Sequence, residues 1–265
     1  CLDGVVSTSP NDSITASLQH VNLPYILNLL NFHSVDFGGE ASGFAHIKQI
    51  FDKPSLNSQL RVDDFTLEDG RLGTLFAKAR WNASLGQIDI DAEARDTIGN
   101  NPMTAMPRTT IVNGYISPKR GDIDLNMRLH DTRAEFVGNI CSSVLNDFNV
   151  SASGNLRLWG SLKQLNLTGE VIAHGTAGVR PLGTTYALHN APIRLTQDAI
   201  LFEGDTITDH FSHHGILSGS IRHQHLSHWT YKLDVNANNL LAFDTNANSG
   251  SFYGRVFGTG SASIN

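Results

Sequence analysis

Strict alternation of apolar and polar residues limits the fold of this chain more than any other feature. Between Ser153 and Tyr186, Leu156 and Leu158 alternate with Asn155 and Arg157. Leu165, Leu167, Gly169 and Val171 then alternate with Asn166, Thr168 and Glu170. Successive side chains of a strand point to opposite faces, so a period of two predicts strands with one apolar and one wet face. The same pattern recurs in Ile14, Ala16, Leu18 and His20, and in Ile88, Ile90, Ala92 and Ala94. It recurs again in Ile123, Leu125, Met127 and Leu129, in Leu217, Gly219, Ile221 and His223, and in Tyr231, Leu233 and Val235. Further strands are predicted over 76–81 and 109–116. The chain has 24 glycines, is rich in Asn, Ser and Thr, and lacks long apolar helical faces. That composition predicts an all-β fold with many turns.

The strands carry a longer repeat. Ser42-Gly43 matches Ser153-Gly154, and Leu72-Gly73-Thr74 matches Leu182-Gly183-Thr184. The glycines within each copy are 30 and 29 residues apart. A third start lies at Gly258-Thr259-Gly260-Ser261, so the offsets between copies are 111 and 106 residues. Ser153-Gly154 reads as a turn that opens the copy, and Leu182-Gly183-Thr184 as a turn near its end. A near-constant period predicts an extended stack. It is too long for one solenoid coil, so each unit holds several strands.

Three apolar stretches break the alternation and predict short helices at the repeat seams: Leu23–Leu30, where Pro24 suits a first helical turn, Thr132–Leu145 and Asn239–Phe243. The expected division is 1–41, the end of a preceding repeat with a short helix near 24–31, then 42–150, a β-repeat unit with an irregular loop over 96–108 and a short helix near 132–145. A second unit follows over 151–257, and 258–265 starts a further repeat.

Little in the sequence points to catalysis. The net charge of −6, with no basic patch, argues against nucleic acid as a partner. His210, His213, His214, His223, His225 and His228 fall close together, and His223 and His225 share an expected strand face. No Cys or carboxylate accompanies them at a ligand spacing, so they read as mid-polarity surface residues. Asp63-Asp64 and Glu68-Asp69 read as solvated turn residues, not a glycosidase pair. Gly258-x-Gly260 lacks the Lys of a phosphate loop, and no Gly-x-Ser-x-Gly elbow occurs. Trp81, Trp159 and Trp229 read as packing residues rather than sugar platforms. Cys1 and Cys141 do not define a disulfide framework. No apolar run reaches the roughly 20 residues that span a bilayer. A first residue of Cys and an end in mid-strand suggest a segment of a longer protein.

The one-sided apolar face is what rises above background. Such a face must be covered by a second sheet, by the sheet rolling over itself, or by lipid. Burial is worth about 0.8 kcal/mol per CH₂, so a long acyl chain gains on the order of 10 kcal/mol in an apolar trough.

The order of Ser153-Gly154-Asn155-Leu156-Arg157-Leu158-Trp159-Gly160, Leu165-Asn166-Leu167-Thr168-Gly169, Leu182-Gly183-Thr184-Thr185-Tyr186, Ser218-Gly219-Ser220-Ile221-Arg222-His223 and Phe252-Tyr253-Gly254-Arg255-Val256-Phe257-Gly258-Thr259-Gly260 resembles the TamB family. That family is the inner-membrane component of the translocation and assembly module, among the AsmA-like and bridge-like lipid-transfer proteins. The resemblance is to its Bacteroidetes type and is best from Asn149 onward. It implies an elongated curled sheet, a β-taco with an open apolar groove, in the periplasm of a Gram-negative bacterium. It implies an inner-membrane anchor outside this segment and an outer-membrane barrel of the Omp85 type as partner. It further implies carriage of phospholipids toward the outer membrane, help in outer-membrane protein assembly and secretion, and neither catalysis nor a cofactor. The residues expected to line the groove are Leu156, Leu158, Leu165, Leu167, Val171, Leu217, Ile221, Leu233, Val235, Ile123, Leu125, Met127, Leu129, Ile88 and Ile90. The alternative reading is a surface adhesin or carbohydrate-binding β-repeat protein filled by its own side chains.

Overall fold

The computed structural model describes residues 2–4, 12–25, 36–48, 55–97, 106–245 and 253–264. The protein is all-β, and among the described residues fifteen antiparallel strands follow one another in the sheet in chain order. They are β1 (Leu2–Gly4), β2 (Ser13–Asn22), β3 (Phe37–Lys48), β4 (Ser55–Leu67), β5 (Gly70–Asn82), β6 (Gln87–Asp96), β7 (Arg108–Ser117), β8 (Asp122–Arg133), β9 (Leu145–Ser161), β10 (Gln164–Val179), β11 (Thr184–Leu195), β12 (Ala199–Thr208), β13 (His214–Gln224), β14 (Ser227–Thr245) and β15 (Gly254–Ile264). Each strand needs only a local return to reach its neighbour, so no connection crosses another. Two compact units result. Unit 1 holds Cys1–Thr132 with Arg157–Leu165, and unit 2 holds Arg133–Leu156 with Asn166–Asn265.

Turn chemistry sets the hairpins. Glu68 and Asp69 both take positive φ, 46° and 59°, as the two-residue return from β4 to β5 requires. Between β5 and β6, Asn82 Oδ1 accepts from Ser84 Oγ at 2.7 Å and from the Leu85 amide at 3.3 Å. Ser117 Oγ is buried. It donates to the Gly86 carbonyl at 2.8 Å and accepts from the Arg120 amide at 3.2 Å, which ties two neighbouring turns of unit 1 together.

The repeated Ser-Gly pairs are not turns. Gly43 lies inside β3, Gly154 inside β9 and Gly260 inside β15, six strands on each time. Gly154 has φ 154°, and a Cβ there would strike the Glu170 carbonyl and the Val171 backbone on the adjacent strand. The pair thus marks a close backbone approach, the other common reason for glycine in a strand. The Leu-Gly-Thr landmarks differ between copies. Gly73 lies within β5, whereas Gly183 ends a short 3-10 turn over Arg180–Leu182 before β11.

Helices are few. Residues 23–25 are helical before β3, the remainder of the first expected seam lying outside the described residues. Helix α1 (Glu135–Ile140) precedes β9, shorter than the expected 132–145 because β8 continues to Arg133 and a turn takes 141–144. The expected helix at Asn239–Phe243 is a correction: these residues belong to β14. Asn239 there adopts φ 53° and the register with β15 slips between Ala237 and Leu240. The break in alternation is therefore a bulge, which shifts side-chain parity without ending the strand. The comparable place in strand order is the link from β14 to β15, and its residues 246–252 lie outside the described residues. Among the described residues no helix is long and apolar enough to cross a membrane.

Gly154→Val should destabilise the protein by about 1–3 kcal/mol or more, through strain at positive φ and collision with β10. Gly258→Ala, where a Cβ meets only Ala242 Cβ at 3.8 Å, should stay within about 0.5 kcal/mol. Urea denaturation of the two variants checks the contrast.

Candidate functional site

Directly opposed residues of an antiparallel pair share a face, so the registers map both faces. In unit 1, Leu60, Ala77, Ala92, Val112 and Met127 form one rung across β4 to β8. Val62, Leu75, Ala94, Thr110 and Leu129 form the next, and Ala79, Ile90, Gly114 and Leu125 lie on the other side of the first. Ile88, Ile116 and Ile123 continue the set. The intervening rungs are polar, for example Lys78, Asp91, Asn113 and Asn126. Charge pairs occupy this second face. Arg95 meets Glu93 at 2.7 Å, and Arg157 meets Asp124 at 2.7 Å, which holds the Asp124 carboxyl below the usual carboxylate range. Exposed pairs of this kind add little stability, but they identify the solvated side. Arg157 also fixes the orientation of β9: because it reaches Asp124, its neighbours Leu156 and Leu158 take the apolar side.

Unit 2 repeats the division. Val171, Ile193, Phe202, Gly219, Leu233 and Ile264 make one apolar rung. Leu195, Ile200, Ile221 and Tyr231 make another, and Leu217 faces Val235 beside them. Gly169 opposes Leu195 and lies against the Leu156 Cα, so Leu165 and Leu167 fall on the same side by alternation. All fifteen residues expected to line a groove are thus on the apolar faces of their units. Ile123 and Val171 are buried, at 6% and 8% exposure, and the other thirteen are half-buried.

Each unit packs this face at one end. In unit 1, Leu23 from the helical turn joins Ala41, Val62, Phe65 and Ala94, with Phe37 stacked on Phe65 at 5.8 Å. In unit 2, β11 touches β14 although β12 and β13 lie between them in the order. The sheet of this unit therefore curls over its apolar face. Tyr186 Oη donates to the Leu241 carbonyl at 2.6 Å, and Leu240 and Leu241 are buried. A Cβ on Gly215 would lie 2.9 Å from Leu240 Cδ2, so the glycine makes room for that side chain. Asp209 latches the curl: its carboxylate accepts from the amides of Phe211, His213 and Leu241 at 2.8–2.9 Å and lies 3.1 Å from His213 Nδ1. Burial pushes its pKa up, but these donors outweigh burial and hold it below the ordinary value.

One feature of unit 2 escapes a reading by alternation. Counting by twos from Ile200 and Phe202 puts Asp205 on the wet face. The register of β12 against β13 instead slips between Glu203 and Asp205, with Gly204 as the extra residue at φ 100°. This bulge turns Asp205 onto the apolar face, opposite Leu217. The residue is 3% exposed, and neither carboxylate oxygen has a hydrogen-bond partner. Burial raises its pKa most; the Glu203 amide, close to the carboxylate but outside hydrogen-bond geometry, opposes this, and the Glu203 charge adds to the rise. The sequence signal was Ile207, which breaks parity with Ile200 and Phe202 across Glu203-Gly204-Asp205. Ala92 and Ala94 share the face of Ile88 and Ile90 as their alternation predicts, whereas Ala77 escapes a reading by alternation because a small side chain carries a weak apolar signal.

The histidines do not converge. The buried His223 ring accepts from the Leu226 amide at 3.3 Å and rests on Trp229, and burial lowers its pKa. His225 lies 3.1 Å from Asn166 Oδ1. Among the described residues no three His, Cys, Asp or Glu side chains are placed to hold a metal ion. Cys1 lies outside the described residues, and Cys141 is a half-buried free thiol whose pKa burial raises. Comparisons with protein-family models, with curated proteins and with solved structures give no match.

Asp209→Ala should cost clearly more than Tyr186→Phe, because it strands three amides, whereas the tyrosine loses one hydrogen bond worth about 1 kcal/mol. Denaturant titration of both variants checks the order. Asp205 has a raised folded-state pKa, so the folded protein binds its proton more tightly than the unfolded chain. Its destabilising effect is absent below about pH 4, grows as pH rises toward the raised value, and is constant above it. Asp205→Leu should therefore gain most over wild type at pH 7, and its advantage should shrink as pH falls toward about 4. A pH-independent difference in melting temperature would contradict this.

Proposed function

We propose that this chain carries acyl chains along its apolar β-face, as a segment of a TamB-like periplasmic bridge that moves phospholipid between membranes. The observation that carries the reading is the half-buried state of the apolar face of each unit. Among the described residues, rung after rung of Leu, Ile, Val and Ala lies on one side of each unit, most of them half-buried. Leaving such a face in water is costly, and an exposed apolar surface of this kind marks a place where something apolar binds. Hydrocarbon suits it better than a protein partner with fixed side chains, because the rungs offer no hydrogen-bonding pattern and recur with little chemical variation. The curl of unit 2 and the packing around Leu23 would each shelter part of a chain. The repeat of roughly 110 residues, the inner-membrane anchor and the Omp85-type partner belong to the same proposal.

The test is native mass spectrometry with lipid extraction on the purified chain. Phospholipid should co-purify with the wild type. Leu156→Asp combined with Leu167→Asp should abolish it, and Ile90→Asp with Leu125→Asp should do the same for unit 1. Circular dichroism should remain that of a β-sheet. A lipid-free wild type, or double variants that retain lipid, would sink the reading.

A further inference from the structure

Unit 2 holds a buried acid on the face that should be least hospitable to one. We infer that Asp205 is a polar anchor in the apolar trough of unit 2, and that it takes the primary ammonium of an amphipathic ligand whose hydrocarbon lies along the neighbouring rungs. The inference rests on the proposed acyl-binding role of that face.

Three observations point to this ligand chemistry. The first is placement. The Gly204 bulge delivers Asp205 to the apolar face opposite Leu217, between the rung of Val171, Ile193 and Phe202 and the rung of Leu188 and Ile207. Without the extra residue the carboxylate would stand in water. A bulge that re-aims one side chain is a recurrent feature near functional sites. The second is the missing partner. Both oxygens are buried and lack a hydrogen bond, whereas Asp209, four residues on, accepts from three amides. Buried acids of native proteins are paired, and two bare oxygens call for a group with more than one donor. A primary ammonium has three N–H donors, while a hydroxyl has one and would leave an oxygen unsatisfied. The third is charge. The cations of these strands, Arg194, Arg222 and Lys232, fall on the opposite face by register. The titratable groups that share the face of Asp205 are Tyr186, Tyr231 and His223, with Asp209 and its neighbour His213 at the curl, and Glu203, ion-paired with Arg194, precedes the bulge. The local field therefore favours a cation and opposes a phosphate or carboxylate.

Before binding, burial keeps the carboxyl protonated more readily than usual. Pairing with an ammonium favours the ionised carboxylate and leaves an ammonium–carboxylate pair.

The test uses isothermal titration calorimetry of the full 265-residue chain with dodecylammonium and dodecyltrimethylammonium, both below their micelle concentrations. The two share chain and charge, but only the first has N–H donors. Wild type should bind dodecylammonium on the order of tenfold more tightly, a margin typical of one charge-assisted contact. Asp205→Asn and Asp205→Leu should both lose the preference while keeping chain binding. The leucine variant serves if the asparagine fails to fold. Equal binding of both surfactants by wild type and variants would overturn the anchor while leaving the acyl trough intact. A wild type that binds neither would overturn the trough, and the anchor with it.

Discussion

Everything in this protein hangs on the backbone ladder between consecutive antiparallel strands. Because β1 to β15 pair in chain order, each strand inherits its register from the one before. Side chains alternate with period two, so one register error would invert a whole strand and place its Leu and Ile side chains in water. The ladder holds one face apolar across β4 to β8 and again across β10 to β15. The charge pairs Arg95–Glu93 and Arg157–Asp124 lie on the other side. Turn residues help to fix the register, notably Glu68 and Asp69 with positive φ and the buried Ser117 hydroxyl that joins two adjacent returns.

Among the described residues the sheet with its one apolar face has no second layer of the kind most domains use to bury such a face. This protein compensates locally. Leu23 and the Phe37–Phe65 stack close one end of the face in unit 1. In unit 2, Tyr186, Leu240 and Leu241 do so, held by the Asp209 carboxylate. Most of the remaining rungs stay half-buried. That arrangement favours a ligand that wets an apolar surface without demanding fixed hydrogen bonds, and it is why acyl carriage is the reading proposed for this chain.

Irregularities in the ladder carry as much information as its regularity. The slip between Ala237 and Leu240 keeps β14 running while bringing Leu240 over Gly215. The Gly204 bulge moves Asp205 from the expected wet side to the apolar one. Both change side-chain parity, and both occur beside the curl of unit 2. The Ser-Gly pairs at Gly43 and Gly154 are of another kind, places where two backbones approach too closely for a Cβ.

The amino-acid sequence by itself determined the all-β class, most strand positions, and the face on which Leu156, Ile123, Leu217 and their companions lie. Those properties are local: alternation, turn chemistry and glycine spacing can be read within a few residues. Only the tertiary structure decided that Ser153-Gly154 sits within a strand, that 239–243 continues β14, and that β11 meets β14. It alone decided that Asp205 turns inward and Asp209 serves as a latch. A bulge costs one residue and leaves little trace in composition. Its effect appears only when the partner strand is present to fix the register, and a carboxylate's role is set by which distant amides the curl brings to it.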